Sequence, residues 1–368
     1  MNIPLVDLQA QYRSIKPEID AAIQNVIDTS QFVLGKAVHD FEEAFAKAHG
    51  VKHCVAVGSG TDALHVALWA AGVTPEHEVI TVPFTFSATV EAIMLLGGKP
   101  VLVDIDPKTY TMDPAKVERA ITRKTKALLP VHLYGQPAAM DELAEIARRR
   151  NLLIIEDAAQ AHLAKYKGKY VGQFGTAACF SFYPGKNLGA YGEAGAVITD
   201  DENLAAKMRK LRDHGQSEKY KHEMWGHNYR MDGFQGAVLG VKLKYLPRWT
   251  ERRRQIANLY RKLLNGVGDL VLPYEAPGVE HVYHLFSVRT KRRSDLQKYL
   301  AGKGVATGLH YPIPLHMQPA YLHLGYRKGD FPVSEAVAAD CLSLPVFAEL
   351  TDEQVGFVAD CVKEFYRH

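Results

Sequence analysis

The sequence predicts an α/β fold: a large unit on a mixed, mostly parallel seven-stranded sheet flanked by helices, then a smaller C-terminal α/β unit. Three observations carry this. Between Lys52 and Asp200, short apolar runs alternate with amphipathic stretches of helical period, the imprint of a parallel sheet covered on both faces. After about His214 the alternation gives way to a polar, aromatic stretch and a long helical region. With 368 residues and 47% hydrophobic content, the chain can bury more than one core.

The strands are expected at His53–Val57, Glu78–Val82, Pro100–Asp104, Thr125–Val131, Leu152–Glu156, Ala177–Phe182 and Gly195–Thr199. Thr61–Ala71 and Met140–Arg149 read as helices between them. An N-terminal helix near Ile15–Thr29 precedes the sheet and is placed against the smaller unit. The division falls at residues 1–240 and 241–368. Pro247 should break the helical region Phe234–Leu264. Beyond it we expect a strand near Tyr283–Thr290, helix Ser294–Lys303, a strand near Ala306–Tyr311, and helices Val333–Leu342 and Thr351–Tyr366. Thr351-Asp352-Glu353 supplies a capping hydroxyl and early acids for the last helix.

Composition narrows the function. Forty-four basic and 41 acidic residues leave a net charge of +3, so nothing pulls the chain toward nucleic acid. The basic triplets at 148–150, 252–254 and 291–293 are scattered and read as solvated helix ends. Cys54, Cys179, Cys341 and Cys361 have no close spacing, so neither a zinc site nor a redox dithiol is expected. The start of the chain lacks a basic segment followed by an apolar one, and no apolar run reaches the roughly 20 residues that span a bilayer. A reduced, cytoplasmic protein without a membrane partner is expected.

The chemistry concentrates at Asp157 and Lys186. Asp157 ends the apolar run Leu152-Leu153-Ile154-Ile155-Glu156-Asp157. Lys186 follows in the small-residue and aromatic loop Ser181-Phe182-Tyr183-Pro184-Gly185-Lys186-Asn187. A strand-end carboxylate and a desolvated lysine are what pyridoxal 5'-phosphate (PLP) needs: the lysine bonds the aldehyde, and the carboxylate keeps the pyridine nitrogen protonated. Asp157 could equally cap the next helix. Gln160 would lie on the same side and reach the phenolate oxygen. Gly58-Ser59-Gly60-Thr61-Asp62 follows a strand and opens a helix, so free amides and the Thr61 hydroxyl suit a phosphate, although a simple cap reads the same way. It is not the dinucleotide fingerprint, which disfavours an NAD-dependent oxidoreductase. Ser181 can offer a hydroxyl to the phosphate. Phe86 can stack on a planar ring or fill the core. His310, Tyr311 and His316 sit in a proline-broken loop. No carboxylate accompanies the histidines at ligand spacing, so this loop is expected to face substrate, and no metal site is expected.

These motifs together resemble the DegT/DnrJ/EryC1/StrS sugar aminotransferases, within the fold-type-I, aspartate-aminotransferase-like PLP enzymes. The resemblance runs from Phe32-Val33-Leu34-Gly35 through Ser59-Gly60-Thr61-Asp62, Pro83-Phe84-Thr85-Phe86 and Glu156-Asp157-Ala158-Ala159-Gln160. It continues in Ser181–Gly189, Gly226-His227-Asn228-Tyr229-Arg230 and His310-Tyr311-Pro312. It implies that Lys186 is the Schiff-base lysine and proton shuttle, and that Asp157 binds the pyridine nitrogen and Gln160 the phenolate oxygen. It further implies that Gly60, Thr61 and Ser181 hold the phosphate, that Phe86 stacks on the ring, and that Tyr183, His310, Tyr311 and His316 lie near the sugar. Asn228 would reach the phosphate of the neighbouring subunit, which implies a homodimer with shared active sites. The chain departs from the family at Gly185, where threonine is frequent, at Ala194, and at Leu163, where glycine is usual. Lysine rather than histidine at 186 points away from the deoxygenating branch.

The expected reaction moves an amino group from L-glutamate to a nucleotide-diphosphate-linked ketosugar, leaving pyridoxamine 5'-phosphate halfway. Leu133-Tyr134-Gly135-Gln136 resembles members that act on 3-keto hexoses rather than 4-keto sugars. A keto-inositol is a further option, and a PLP-binding regulatory protein without turnover is the alternative of a different class.

Overall fold

A computed structural model describes residues 1–367. Seven strands form the central sheet: β1 (His53–Val57), β2 (Glu78–Thr81), β3 (Lys99–Leu102), β4 (Thr125–Leu128), β5 (Leu153–Asp157), β6 (Ala177–Ser181) and β7 (Gly195–Thr199). Their order is β1-β7-β6-β5-β4-β2-β3. Only β7 runs against the rest, pairing antiparallel with β1 and β6, while the remaining pairs are parallel. Each strand lies on its predicted apolar run, with ends shifted by a few residues.

Both faces of the sheet are buried, which is why its strands read as continuous apolar runs. Alternate residues of β6 serve opposite layers: Ala178 and Phe180 join Phe41, Phe45 and Phe182, whereas Ala177 and Cys179 join Leu64, Ala67 and Leu68. The small side chains of β6 and β7 let the helix Gly60–Ala70 pack close over them.

The N-terminal helix spans Leu8–Thr29, a longer element than expected. Pro17 does not end it; the chain kinks at Ile15 (φ −129°) and continues toward a cap from Asp7, whose side chain accepts the Ala10 N–H. Ile15 and Ile19 pack on Val238, Val241 and Trp249. The long helical region divides into Gly233–Leu243 and Leu246–Leu264. Pro247 stands in the first turn of the second helix, where a missing N–H is harmless. Residue 240 therefore falls within a helix.

The C-terminal core gathers Tyr260, Phe286, Leu300, Leu342, Val358 and Phe365, together with Ile3 from the start of the chain. Its sheet has two antiparallel strands, β8 (Phe286–Arg289) and β9 (Cys341–Leu344). Two expectations fail here. The predicted helix over Val333–Leu342 ends at Asp340, and its last residues become β9. The predicted strand at Ala306–Tyr311 is a single bridge from Gly308 to Ser343. Pro312 and Pro314 lack the N–H groups a ladder requires. Short pairings at Lys165–Tyr166, Lys169–Tyr170 and Val279–Glu280, and a hairpin of Gln216–Glu218 with Lys221–His222, had no signal strong enough to predict. No described helix is long and apolar enough to cross a membrane.

Candidate active site

The carboxyl ends of β1, β5 and β6, with the start of the reversed β7, converge on one cavity of about 800 Å³. Ligands in parallel sheets bind at this edge, and the volume suits a cofactor with a substrate beside it. Gly60, Thr61, Phe86, Asp157, Gln160, Ser181, Tyr183, Lys186, His310 and Tyr311 all line it.

Asp157 is the last residue of β5 and is buried. Thr89 Oγ1 donates to its Oδ2 at 2.8 Å, and the Ala159 N–H donates to its Oδ1 at 3.2 Å. Thr85 lies 2.9 Å from Thr89 and continues the chain of hydroxyls. Burial pushes the Asp157 carboxyl up, against the opposing pull of Thr89, Ala159 and Lys186. A cation facing it would hold it ionised.

Lys186 sits in a loop that closes on itself. The Phe182 N–H donates to the Ala194 carbonyl at 2.8 Å, the Ala190 N–H to Phe182 at 2.7 Å, and the Lys186 N–H to Tyr183 at 2.8 Å. Lys242 Nζ donates to the Gly189 carbonyl at 2.7 Å from the helix Gly233–Leu243. Burial pulls the Lys186 amine down to about 8, with Asp157 pulling the other way. That places a useful fraction of free base near neutrality.

The phosphate side is a close approach of backbones. Ser59 caps the helix Gly60–Ala70 by accepting the Asp62 N–H at 3.0 Å, which leaves the first-turn amides of Gly60 and Thr61 without intrahelical acceptors. A Cβ on Gly60 would stand 2.5 Å from Ser181 Cβ, and one on Gly195 would stand 2.1 Å from the Ser59 carbonyl oxygen. Any side chain there would fill the cradle, so the glycines keep it open to an anion.

Gln160 is fixed from both ends: its Oε1 accepts the Tyr134 N–H at 2.7 Å, and its Nε2 donates to Tyr311 Oη at 3.0 Å. Burial raises the Tyr311 phenol, so it stays protonated. His310 shares a 2.9 Å hydrogen bond with Ser343 Oγ. Burial, then the nearby Lys186, pulls its imidazole down to about 4. Tyr134 donates to the His310 carbonyl, tying the loop to the 133–135 turn. Phe86 and Tyr183 are half exposed at the mouth, with Phe86 5.9 Å from the Tyr311 ring.

Two predicted residues lie elsewhere. His316 is not a cavity residue: it is buried, its Nε2 donates to Glu335 Oε1 at 3.0 Å, and its ring packs on Phe331. The expected sugar contact is replaced by a structural one, because the 3₁₀ turn Leu315–Met317 points this side chain into its own unit. Asn228 is exposed outside its own chain's cavity, bridged to Asp213. Other cavity residues gave no sequence signal. Thr89 and Arg253 sit within ordinary helices, and His284 lies on a loop where Asn187 Oδ1 meets its Nδ1 at 3.3 Å. No cluster fit to hold a metal ion occurs among the described residues. A second cavity of about 570 Å³, bordered by Ser14, Trp249 and Glu349, carries none of the predicted residues.

The donor set fits PLP: an acid for a pyridinium, a low-pKa amine, an open amide cradle and a ring-sized mouth share one cavity. Comparison with known proteins agrees. A pleiotropic regulatory protein of Geobacillus stearothermophilus is 51% identical over 370 residues, covering 100% of both chains. A dTDP-3-amino-3,4,6-trideoxy-alpha-D-glucose transaminase of Streptomyces venezuelae is 45% identical over 363 residues, 99% of this chain and 96% of that protein. The crystal structure of S. venezuelae DesV in complex with a ketimine intermediate matches at TM-score 0.98 and 44% identity, over 100% of this chain and 99% of that one. The model of the DegT/DnrJ/EryC1/StrS aminotransferase family matches residues 13–363, and the chain belongs to that family.

Proposed function

We propose that this aminotransferase moves the amino group of L-glutamate to a nucleotide-diphosphate-linked ketosugar, giving 2-oxoglutarate and an amino sugar. The observation that carries the reading is the meeting of Asp157, Lys186 and the Gly60–Ser181 cradle in one cavity. PLP, alternating with pyridoxamine 5'-phosphate, supplies an electrophilic carbon and an electron sink when bound. Every other part belongs to the chain. The Gly60 and Thr61 amides and the Ser181 hydroxyl hold the phosphate, Asp157 holds the ring nitrogen protonated, Gln160 faces the phenolate oxygen, and Phe86 covers the ring. Lys186 Nζ takes the proton from the donor α-carbon and returns it in the second half of the cycle; general acid–base catalysis of this kind contributes about a hundred- to ten-thousandfold.

A 3-keto hexose is favoured over a 4-keto sugar. Support comes from the Leu133–Gln136 turn and from the 3-amino product named for the S. venezuelae relative. Tyr183, His310 and Tyr311 would face the sugar. The enzyme would act in the cytoplasm as a homodimer, each subunit lending Asn228 to its partner's cradle. In support, the segment that carries Asn228 leaves Trp225 89% and Tyr220 82% exposed, more than an isolated surface favours.

A visible absorption spectrum before and after L-glutamate tests the chemistry: the cofactor band should bleach and return when the correct ketosugar is added. A panel of nucleotide-linked 3-ketones and 4-ketones and a keto-inositol then fixes the acceptor, and a preference for the 4-ketone would overturn the 3-keto choice. The name of the G. stearothermophilus relative favours a second reading, a PLP-binding regulator. That reading requires the band to survive L-glutamate unchanged.

A further inference from the structure

Residues 3–7 cross from one unit to the other, and they do so along the Lys186 cavity. Ile3 is buried in the C-terminal core. Its N–H donates to the Gly304 carbonyl at 2.8 Å, its carbonyl accepts the Ala306 N–H at 2.9 Å, and it bridges Val305 in parallel. Four residues on, Asp7 caps the helix Leu8–Thr29, its Oδ1 accepting the Ala10 N–H at 2.8 Å. That helix packs on Val238 and Val241 of the helix Gly233–Leu243, which holds the Lys186 loop through Lys242. Four residues of chain reach about 14 Å at most, so Pro4-Leu5-Val6 is a strap held at both ends.

Leu5 and Val6 line the cavity. The other aliphatic side chains on its C-terminal side, Leu285, Leu344 and Val346, are buried. Val6 is 37% exposed and Leu5 is only partly buried, so these two keep apolar surface for a ligand to cover, and covering it is favourable. Leu5 also stands against the His310 loop. A Cβ on Gly308 would meet Leu5 Cδ2 at 3.0 Å and His310 Cε1 at 2.5 Å, so the leucine and the imidazole crowd the same glycine. A ligand edge beside His310 therefore meets two aliphatic side chains that neither donate nor accept. A hydroxyl pressed against them would lose its water and gain no partner from them.

We propose that Leu5 and Val6 select the amino acceptor: they receive a sugar carbon that carries no hydroxyl, a methyl or a ring methylene, next to the edge that faces His310 and Tyr311. This rests on the aminotransferase reading above and narrows its ketosugar to a deoxygenated one.

The test is the second half-reaction of the pyridoxamine 5'-phosphate enzyme, followed by return of the cofactor band, with a nucleotide-linked 3-keto hexose in its fully hydroxylated, 4-deoxy and 6-deoxy forms. The wild-type enzyme should favour one deoxy form over the fully hydroxylated sugar by about ten- to hundredfold in kcat/KM. Val6→Thr, which exchanges a methyl for a hydroxyl at nearly the same volume, and Leu5→Asn should each pull that ratio toward one, chiefly by loss of the deoxy sugar. Where the 4-ketone is the preferred acceptor, its 6-hydroxy and 6-deoxy forms make the same comparison. A wild-type enzyme that uses hydroxylated and deoxy sugars equally, or that turns over a keto-inositol hydroxylated at every other carbon, overturns the proposal. Equal losses with every sugar in both variants would make the strap a wall only, and a matching rise in the half-saturating L-glutamate concentration would give it to the donor; each also overturns it. A wild-type enzyme whose cofactor band is untouched by L-glutamate would instead overturn the aminotransferase reading itself.

Discussion

Asp157 and Ser181 close adjacent parallel strands, β5 and β6, whereas His284, His310 and Tyr311 stand on irregular chain pinned by side chains. The first pair forms the floor of the cavity and the second group its wall. Ladder hydrogen bonds and a core on both faces fix the floor, so its residues are where a strand-end pattern puts them. The wall depends on single contacts between distant segments: Gln160 to Tyr311, Tyr134 to His310, and Arg253 to the 283–284 and 346 carbonyls. The floor should therefore carry chemistry and the wall recognition, and substitutions in the two should fail differently.

The largest effect is expected from Lys186→Ala on the floor: kcat down by at least about a thousandfold, with the cofactor still retained by the cradle on a desalting column. Near-normal turnover would sink the assignment. Next comes a pH effect. Burial pulls Lys186 from 10.5 to about 8, so capture of PLP by the apoenzyme, which needs the neutral amine, should rise with pH with a midpoint near 8 and level off above it. Asp157 holds that value up, so Asp157→Asn should move the midpoint lower; a midpoint near 10.5 in the wild type would show an undisturbed lysine. Wall changes should be milder. Tyr311→Phe removes one hydrogen bond to Gln160, about 0.5–1.5 kcal/mol, and should lower kcat/KM for the sugar by about tenfold at most while the L-glutamate half-reaction is kept.

Outside both regions, His316→Ala should lower thermal stability by about 2 kcal/mol through the lost hydrogen bond to Glu335 and the lost packing, measured by denaturation, with the half-reaction unchanged. A matching loss of sugar affinity would return His316 to the cavity. The smallest effect belongs to Gly185→Thr. The nearest atom to an added Cβ is 3.8 Å away, on Tyr183, so stability should move by no more than about 0.5 kcal/mol.

Sequence and structure part along the same line. The seven strands, the Gly60 turn, Asp157 and Lys186 were legible because parallel strands buried on both faces must read as short apolar runs, and function follows their ends. Leu163 shows the limit of motif reading: it holds φ 60°, the backbone the usual glycine would take, with a side chain packed on the core. The C-terminal unit was less legible. The short strand Cys341–Leu344 follows a helix without a break, and the His310 loop has no period at all. By itself the sequence determined the fold class, the floor and the cofactor they admit, since each depends on residues near in the chain. The tertiary structure alone decided that His316 leaves the cavity while Arg253 and His284 enter it. Those placements depend on which distant segments meet.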